Sequence, residues 1–312
     1  MNRTGPRVAA VLLMIAGLAA GCARPVNDVG GPVSPDPAGE QRLRQQARDA
    51  LDRWDAAVGV SDGQTRFVPI GEQTSQIGDW EPAVGDNNKA ALYAGVVEVA
   101  GTVPETAHPV TEVRWLDGKR RTVQTISAMQ ALRQMVETGQ GKDGCGGCRP
   151  VTVTGAVSTT IDLVTSRGMA TVPAWEFRLE GTSVRFTRPA VGPAESVTVT
   201  PPPWDSMNPP AGLRIDTARG SVTRLGLEVS FVGAKEGADK PCGIDYTVEA
   251  MESETAVVVI LWERAYTGPG AGGACTMIGY TRTATVELAR PLGDRAVLEV
   301  TQGMPVPVTL AD

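Results

Sequence analysis

An α+β fold, mainly β, is what this chain of 312 residues predicts: an N-terminal antiparallel sheet covered by two helices, then a C-terminal immunoglobulin-like β-sandwich. Three observations carry the prediction. Two stretches place apolar residues at three- and four-residue spacing, the period of an amphipathic helix. Residues 151–186 alternate apolar and polar, the period of strands with one buried face. Beyond residue 213 come only short β-rich runs with turns between them and no helical period.

The chain opens on Arg3 and Arg7, an apolar run from Val8 to Gly21, and then Cys22. A basic start, an apolar stretch and small residues before a cut site describe an export signal. The run is shorter than the roughly twenty apolar residues a spanning helix needs. The stretch "LAAGC" (Leu18–Cys22) resembles the bacterial lipoprotein signal. That resemblance implies a signal peptide over 1–21, acylation of Cys22 and attachment to membrane lipid on the outer face of the cell membrane. Residues 22–40 are rich in Pro and Gly and read as a flexible tether.

An α+β domain is expected over 41–192. Leu43, Ala47, Ala50, Leu51, Trp54 and Val58 form one helical stripe. Apolar runs at Phe67–Ile70 and Ala91–Val99 read as β. "EVRWLDGKRRTVQTI" reads as a hairpin turning at Asp117-Gly118. In "SAMQALRQMVETGQG", Ser127 and Gln130 match the S-x-x-Q capping box, Met129, Leu132, Met135 and Val136 share one face, and Gly139 marks the stop. Next, Val151, Val153, Val157, Ile161 and Leu163 are expected on one face of a strand, with Thr152, Thr154, Ser158, Thr160 and Asp162 on the other. Trp175, Phe177 and Leu179 alternate with Glu176, Arg178 and Glu180, and Val184 and Phe186 continue the meander. The two helices are the expected cover for its buried face.

Residues 193–213 include "TPPPWDSMNPPAG", which cannot lie inside a strand or helix because proline donates no backbone bond. They read as a linker to a β-sandwich domain over 214–312. There "AVVVILW" (Ala256–Trp262) is apolar on both faces and suits a central strand.

With Cys22 acylated, four cysteines remain, an even count that in an exported chain implies two bridges. Cys145–Cys148 and Cys242–Cys275 are the favoured pairs, since each lies within one predicted domain. A redox CxxC has its thiolate stabilised by a helix beginning at the pair; here "CGGCRP" runs into the β-branched "VTVTGAV". A structural zinc site needs four ligands, and the chain has one histidine, His108, read as a surface residue. The CGGC pair therefore reads as a staple.

Other signals are weak. Asp79, Glu81 and Glu176 flank Trp80 and Trp175, a pattern compatible with sugar-handling carboxylates but commoner around core tryptophans. "GPGAGGAC" (268–275) lacks the Lys-Ser/Thr of a phosphate loop and reads as a hairpin connection. "GDNNKA" (85–90) lacks calcium-loop spacing and reads as a turn. A net charge of −6 argues against nucleic acid, whose phosphates reward Lys and Arg clusters.

The succession "GDWE", "NNKAAL", "EVRWLDG", "CGGCRPVTVTGA" and "TSRGMATVPAWEF", with the later "ARPLGDRAVLEVTQGMPVPV", resembles an uncharacterised exported lipoprotein family of high-GC Gram-positive bacteria. The resemblance implies lipid attachment, export and disulfides, and brings no activity. Val113–Val136 is also similar, loosely, to the small α+β modules of PepSY-like envelope proteins, which implies a role in regulating partners.

The sequence thus points to a non-enzymatic, membrane-anchored protein that binds or scaffolds an envelope protein or glycan. No catalytic residue, cofactor or metal is expected. The alternative is an envelope thiol-disulfide oxidoreductase using Cys145 and Cys148.

Overall fold

The computed structural model describes residues 37–58, 60–61, 64–65, 67–138, 145–197, 199–207, 209–276 and 278–311. Cys22, the signal peptide, the tether up to Asp36 and the expected stop at Gly139 lie outside them. All of the described elements belong to one unit, Ser34–Asp312.

The first half contains α1 (Pro37–Val58), the short pair β1 (Val60–Ser61) and β2 (Gln64–Thr65), β3 (Ser75–Ile77), α2 (Gly85–Ala94) and β4 (Val97–Thr102). It continues with β5 (Glu112–Trp115), β6 (Arg120–Thr122), α3 (Ala128–Thr138), β7 (Val151–Thr165), β8 (Gly168–Leu179) and β9 (Arg185–Pro189). The fold class holds: mainly β, with helices on a largely antiparallel sheet. β8 is the hub of seven strands. β7 runs along one edge of it, and β9 and β5 share the other edge, one beyond the other. β4 adds parallel outside β7, β3 outside β9 and β6 outside β5.

Local signals behave as their chemistry dictates. The capping box closes both ways: Gln130 N–H donates to Ser127 Oγ at 3.1 Å, and Ser127 N–H to Gln130 Oε1 at 3.0 Å. The β5–β6 turn places Gly118 at φ +83°, where a side chain is disfavoured, and Asp117 Oδ1 accepts the Lys119 N–H.

The buried face of the meander changes along its length. β7 carries a bulge between Val153 and Gly155, and one extra residue inverts the alternation beyond it. Val151 and Val153 therefore face α2 and α3 with Trp175, Phe177 and Leu179. Leu163 lies on the opposite face with Ala170 and Val172, packed under Phe67, Val113 and Trp115, with Ile161 partly buried beside them. Val157, between the two clusters, is 40 % exposed. The expected single apolar face from Val151 to Leu163 is thus two half-faces. β4 is irregular at the same level, between Val99 and Thr102. There Gly101 lies so close to Thr154 that a Cβ would fall 1.9 Å from its carbonyl oxygen.

Two helices cover the first cluster, but they are α2 and α3. The "GDNNKA" stretch, expected as a turn, forms the first turns of α2, and Ala91–Ala94 is helix where strand was expected. Gly95, at φ +69°, ends that helix in the left-handed conformation and hands the chain to β4. His108, expected at the surface, is buried edge-on against Trp175 at 5.0 Å between ring centroids. Its Nδ1 accepts the Val110 N–H at 3.0 Å.

The second half comprises β10 (Ile215–Ser221), β11 (Gly226–Gly233), β12 (Ile244–Glu252), β13 (Ala256–Ala265), β14 (Tyr280–Glu287), β15 (Ala296–Glu299) and β16 (Val308–Ala311). They form one sheet in the order β14-β11-β10-β16 and another in the order β12-β13-β15. A shared core of Ile215, Leu227, Val229 and Phe231 with Val257, Val259, Leu261 and Val297 joins them. The immunoglobulin-like topology is not confirmed: β10–β16 and β13–β15 pair parallel. The glycine-rich 268–275 segment leads from β13 to β14, so it crosses between sheets and is not a hairpin connection.

β13 is central, as its two-sided apolarity demands. Val257, Val259 and Leu261 face the core just described, while Ala256, Val258 and Ile260 face the other way. What covers that second face is α1, through Ala47, Ala50, Leu51, Trp54 and Val58. The helix expected on the N-terminal sheet is therefore the outer layer of the C-terminal one. Polar contacts fix it there: Gln46 donates to Val300 O at 2.7 Å, and Ser253 and Thr255 hydroxyls donate to Asp55. Among the described residues no helix is long and apolar enough to cross a membrane.

Candidate functional site

A groove of about 590 Å³ opens where the hairpin tips of the first half meet β16 and Val222 of the second. Its size falls in the range of ligand and segment-binding clefts. Trp115 forms one wall, fixed because its Nε1 donates to the buried Thr165 hydroxyl at 3.1 Å, which in turn donates to Gly168 O at 2.7 Å. Leu116 N–H donates to Met169 O at 3.3 Å, holding the β5–β6 turn against the start of β8. Gly168, at φ +106°, lets the backbone pass β16; a Cβ there would sit 3.2 Å from Val308 O.

Arg167 organises the polar side. Its guanidinium stacks 4.8 Å from the Trp115 ring centre, and Nη2 donates to Asp117 at 3.0 Å. Its Nε lies 2.9 Å from Asp294, without the alignment of a hydrogen bond, so that contact is Coulombic. Lys119 Nζ reaches the same Asp294 at 2.7 Å. Two cations and two carboxylates thus neutralise one another across the two halves. Over this rim the apolar side chains stay open: Leu116 is 83 % exposed, Met169 39 % and Val222 40 %. The arrangement offers apolar contact beside a charge-balanced ionic frame.

The residues singled out in the sequence lie elsewhere. Cys145 and Cys148 are bonded, with Cα atoms 5.4 Å apart, and close a turn in which Gly147 takes φ +98°. Cys148 packs against the core of the first half. Arg149 N–H donates to Asn87 Oδ1 at 2.9 Å, and Asn87 Nδ2 donates to Arg149 O at 3.2 Å, so the staple also pins α2. The pair runs into β7, not into a helix. Cys242 and Cys275 are bonded with Cα atoms 5.7 Å apart. They tie the β11–β12 crossing to the β13–β14 crossing at one end of the sheets.

The three acids beside tryptophans do not form a carboxylate pair in the groove. Glu81 accepts from Thr182 Oγ1 at 2.6 Å and from Ser183 N at 3.2 Å, and these bonds, Thr182 first, hold its carboxyl below the usual range. Glu176 pairs across strands with Arg185 at 2.8 Å. Asp79 is exposed and lines no part of the groove. Among the described residues no three His, Cys, Asp or Glu gather to hold a metal.

Sequence reasoning missed the groove because its parts come from two turns read only as turns, Asp117-Gly118 and Arg167-Gly168, and from Val222 and β16 of the second half. Leu116 was the available signal, an apolar residue placed directly before a tight turn. No protein-family model, no curated protein and no solved structure matches the chain.

Proposed function

We propose that this chain is a lipoprotein anchored through acylated Cys22 to the outer face of the cell membrane, where it binds or scaffolds another envelope protein without catalysing a reaction. One observation carries the binding reading: the groove keeps Leu116, Met169 and Val222 open while the charges beside them, Arg167 and Lys119 against Asp117 and Asp294, are already paired. Exposed apolar side chains framed by polar groups are the usual composition of a protein-docking patch. A glycan fits less well, because the one aromatic ring in the groove, Trp115, is covered by Arg167. The export and anchoring half rests on "LAAGC" and on the two disulfides.

The test is site-specific photocrosslinking from position 116 in intact cells, alongside intact-mass measurement of the mature protein. The expected outcome is an acylated Cys22 terminus and a discrete protein adduct that Met169→Asp abolishes. An adduct pattern indifferent to Met169→Asp, or none at all, overturns the binding site. An unmodified Cys22 overturns the anchor.

A further inference from the structure

We infer that the outer edge of β7 from Ser158 to Asp162 takes up a short extended segment of another polypeptide as an added strand. This edge belongs to the seven-stranded sheet, apart from the groove, and the inference depends on neither the groove nor the acyl anchor.

The backbone shows which way the edge faces. Thr160 and Val164 stand opposite Pro173 and Met169 of β8. The carbonyls of those two partners accept from Ala190 N–H at 2.7 Å and Leu116 N–H at 3.3 Å, away from β7. Opposed residues of an antiparallel pair exchange both ladder bonds or neither, so Thr160 and Val164 direct their N–H and C=O away from β8. Ser158 and Asp162 do the same by alternation. At Val164 the outward carbonyl is already used, by Ile70 N–H at 2.8 Å. At the other end β4 pairs no farther than Gly155. Between these two walls, among the described residues, no strand lies beside β7. Ser158, Thr160 and Asp162 are all exposed there. The Thr160 carbonyl receives only the neighbouring Thr159 hydroxyl, at 3.4 Å, which leaves it a second lone pair.

These features name the occupant. Open edges are usually blunted by Pro, Lys or a bulge; Ala156–Thr165 contains no Pro, Lys or Arg, and the bulge lies before it. The complement of a donor and an acceptor at every second residue is another extended backbone. The free stretch is five residues, about 17 Å of strand. A second copy does not fit: laid edge to edge in either direction, the β4 and Ile70 walls of one copy strike those of the other. A short strand whose ends turn out of the sheet does fit. Asp162, the one charge on the stretch, accepts the Thr171 hydroxyl at 2.6 Å and pairs with no cation among the described residues. The segment therefore carries a cation opposite Asp162, a hydroxyl opposite Thr160, and a β-branched apolar residue opposite Ile161 on the other face.

The experiment titrates the full chain, both disulfides formed, into a fluorescent acetylated and amidated probe peptide, Lys-Ile-Thr-Val-Thr, and reads anisotropy. Saturable binding is expected, with slower hydrogen exchange across residues 157–163. Thr160→Pro removes an outward donor at a position that gives none to β8, a substitution an edge strand tolerates. It should weaken binding at least about tenfold with circular dichroism unchanged, whereas Thr160→Ala, which keeps the N–H, should stay within about twofold. Asp162→Asn should weaken binding about two- to fivefold at low salt. A probe methylated on its central amide nitrogen should lose binding to the wild type, a check that does not depend on how a variant folds. No saturable binding, or binding indifferent to both Thr160→Pro and probe methylation, overturns the inference. A chain that sediments as a dimer, and as a monomer after Thr160→Pro, overturns the occupant in favour of a second copy.

Discussion

Arg44 and Glu249, 205 residues apart, meet in a forked pair in which Nε donates to Oε1 at 3.0 Å and Nη2 to Oε2 at 3.0 Å. Trp262 Nε1 adds a third donor to the same carboxylate at 3.1 Å, and the guanidinium lies 5.0 Å from the Trp262 ring centre. The contact joins α1 to β12 and β13, and so makes the first helix part of the last layer.

That pair should give stability an acid limb. The Arg44 hydrogen bond, and then the Trp262 N–H, hold Glu249 below its ordinary value of 4.5. A carboxylate depressed by folding stabilises the fold above its unfolded pKa, and the contribution disappears as pH falls through the folded one. The melting-temperature difference between wild type and Glu249→Gln is expected to be small and constant from neutral pH to about 5. Below 4.5 it should shrink. A difference unchanged down to about pH 3 would contradict the assignment.

Trp54 tests where α1 belongs. It is buried among Val258, Ile260 and Leu298, and its Nε1 has no hydrogen-bond partner. Trp54→Ala should cost about 3–5 kcal/mol by opening a cavity. Trp54→Phe removes the orphan N–H while keeping most of the packing, and should cost well under half of that. Hydrogen exchange should show faster opening of β13 and β15, not of β7 and β8. Loss of protection in β7 and β8 instead would place the helix on the other sheet.

These contacts show which parts of the fold the sequence can carry. The capping box at Ser127 and the turn at Asp117-Gly118 were legible because every group they need lies within four residues. β13 was legible because a run of seven apolar residues leaves no solvent face. The destination of α1 was not: an apolar stripe requires some apolar sheet, and Ala256, Val258 and Ile260 supply one as well as Trp175 and Phe177 would. The bulge at Gly155 was hidden because the apolar pattern reads straight across it. The groove stayed invisible for a related reason. Leu116 and Arg167 belong to two separate turns and Val308 to the last strand, and only the packing of the two halves brings them together.

The two disulfides should differ in weight. Loop-closure entropy assigns about 2 kcal/mol to the bridge Cys145–Cys148 and about 4 kcal/mol to Cys242–Cys275, whose loop is far longer. Chemical denaturation of the paired Ser variants should reproduce that order. For a structural role of the CGGC pair, its reduction potential should lie below about −300 mV. A value between roughly −120 and −180 mV would be that of a dedicated thiol oxidant and would revive the oxidoreductase.

The buried carboxylate of Glu299 is expected to be the most sensitive polar site in the second half. It accepts N–H groups from Thr301 and Gln302 at 2.8 Å each and from Met304 at 3.3 Å, together with the Thr301 hydroxyl. Those bonds shape residues 300–304 into the seat of α1, where Gly303, at φ +70°, lies so close that a Cβ would fall 2.8 Å from Ala50 Cβ. Glu299→Ala leaves three half-buried N–H groups without their acceptor and should cost about 3 kcal/mol. Glu299→Gln, which turns an amide donor toward those donors, should cost about 2 kcal/mol. Both should speed hydrogen exchange along Ala47–Trp54 more than in α3. A loss of less than about 0.5 kcal/mol in either variant would mean that water replaces the carboxylate at little cost, and that the seat is held by packing alone.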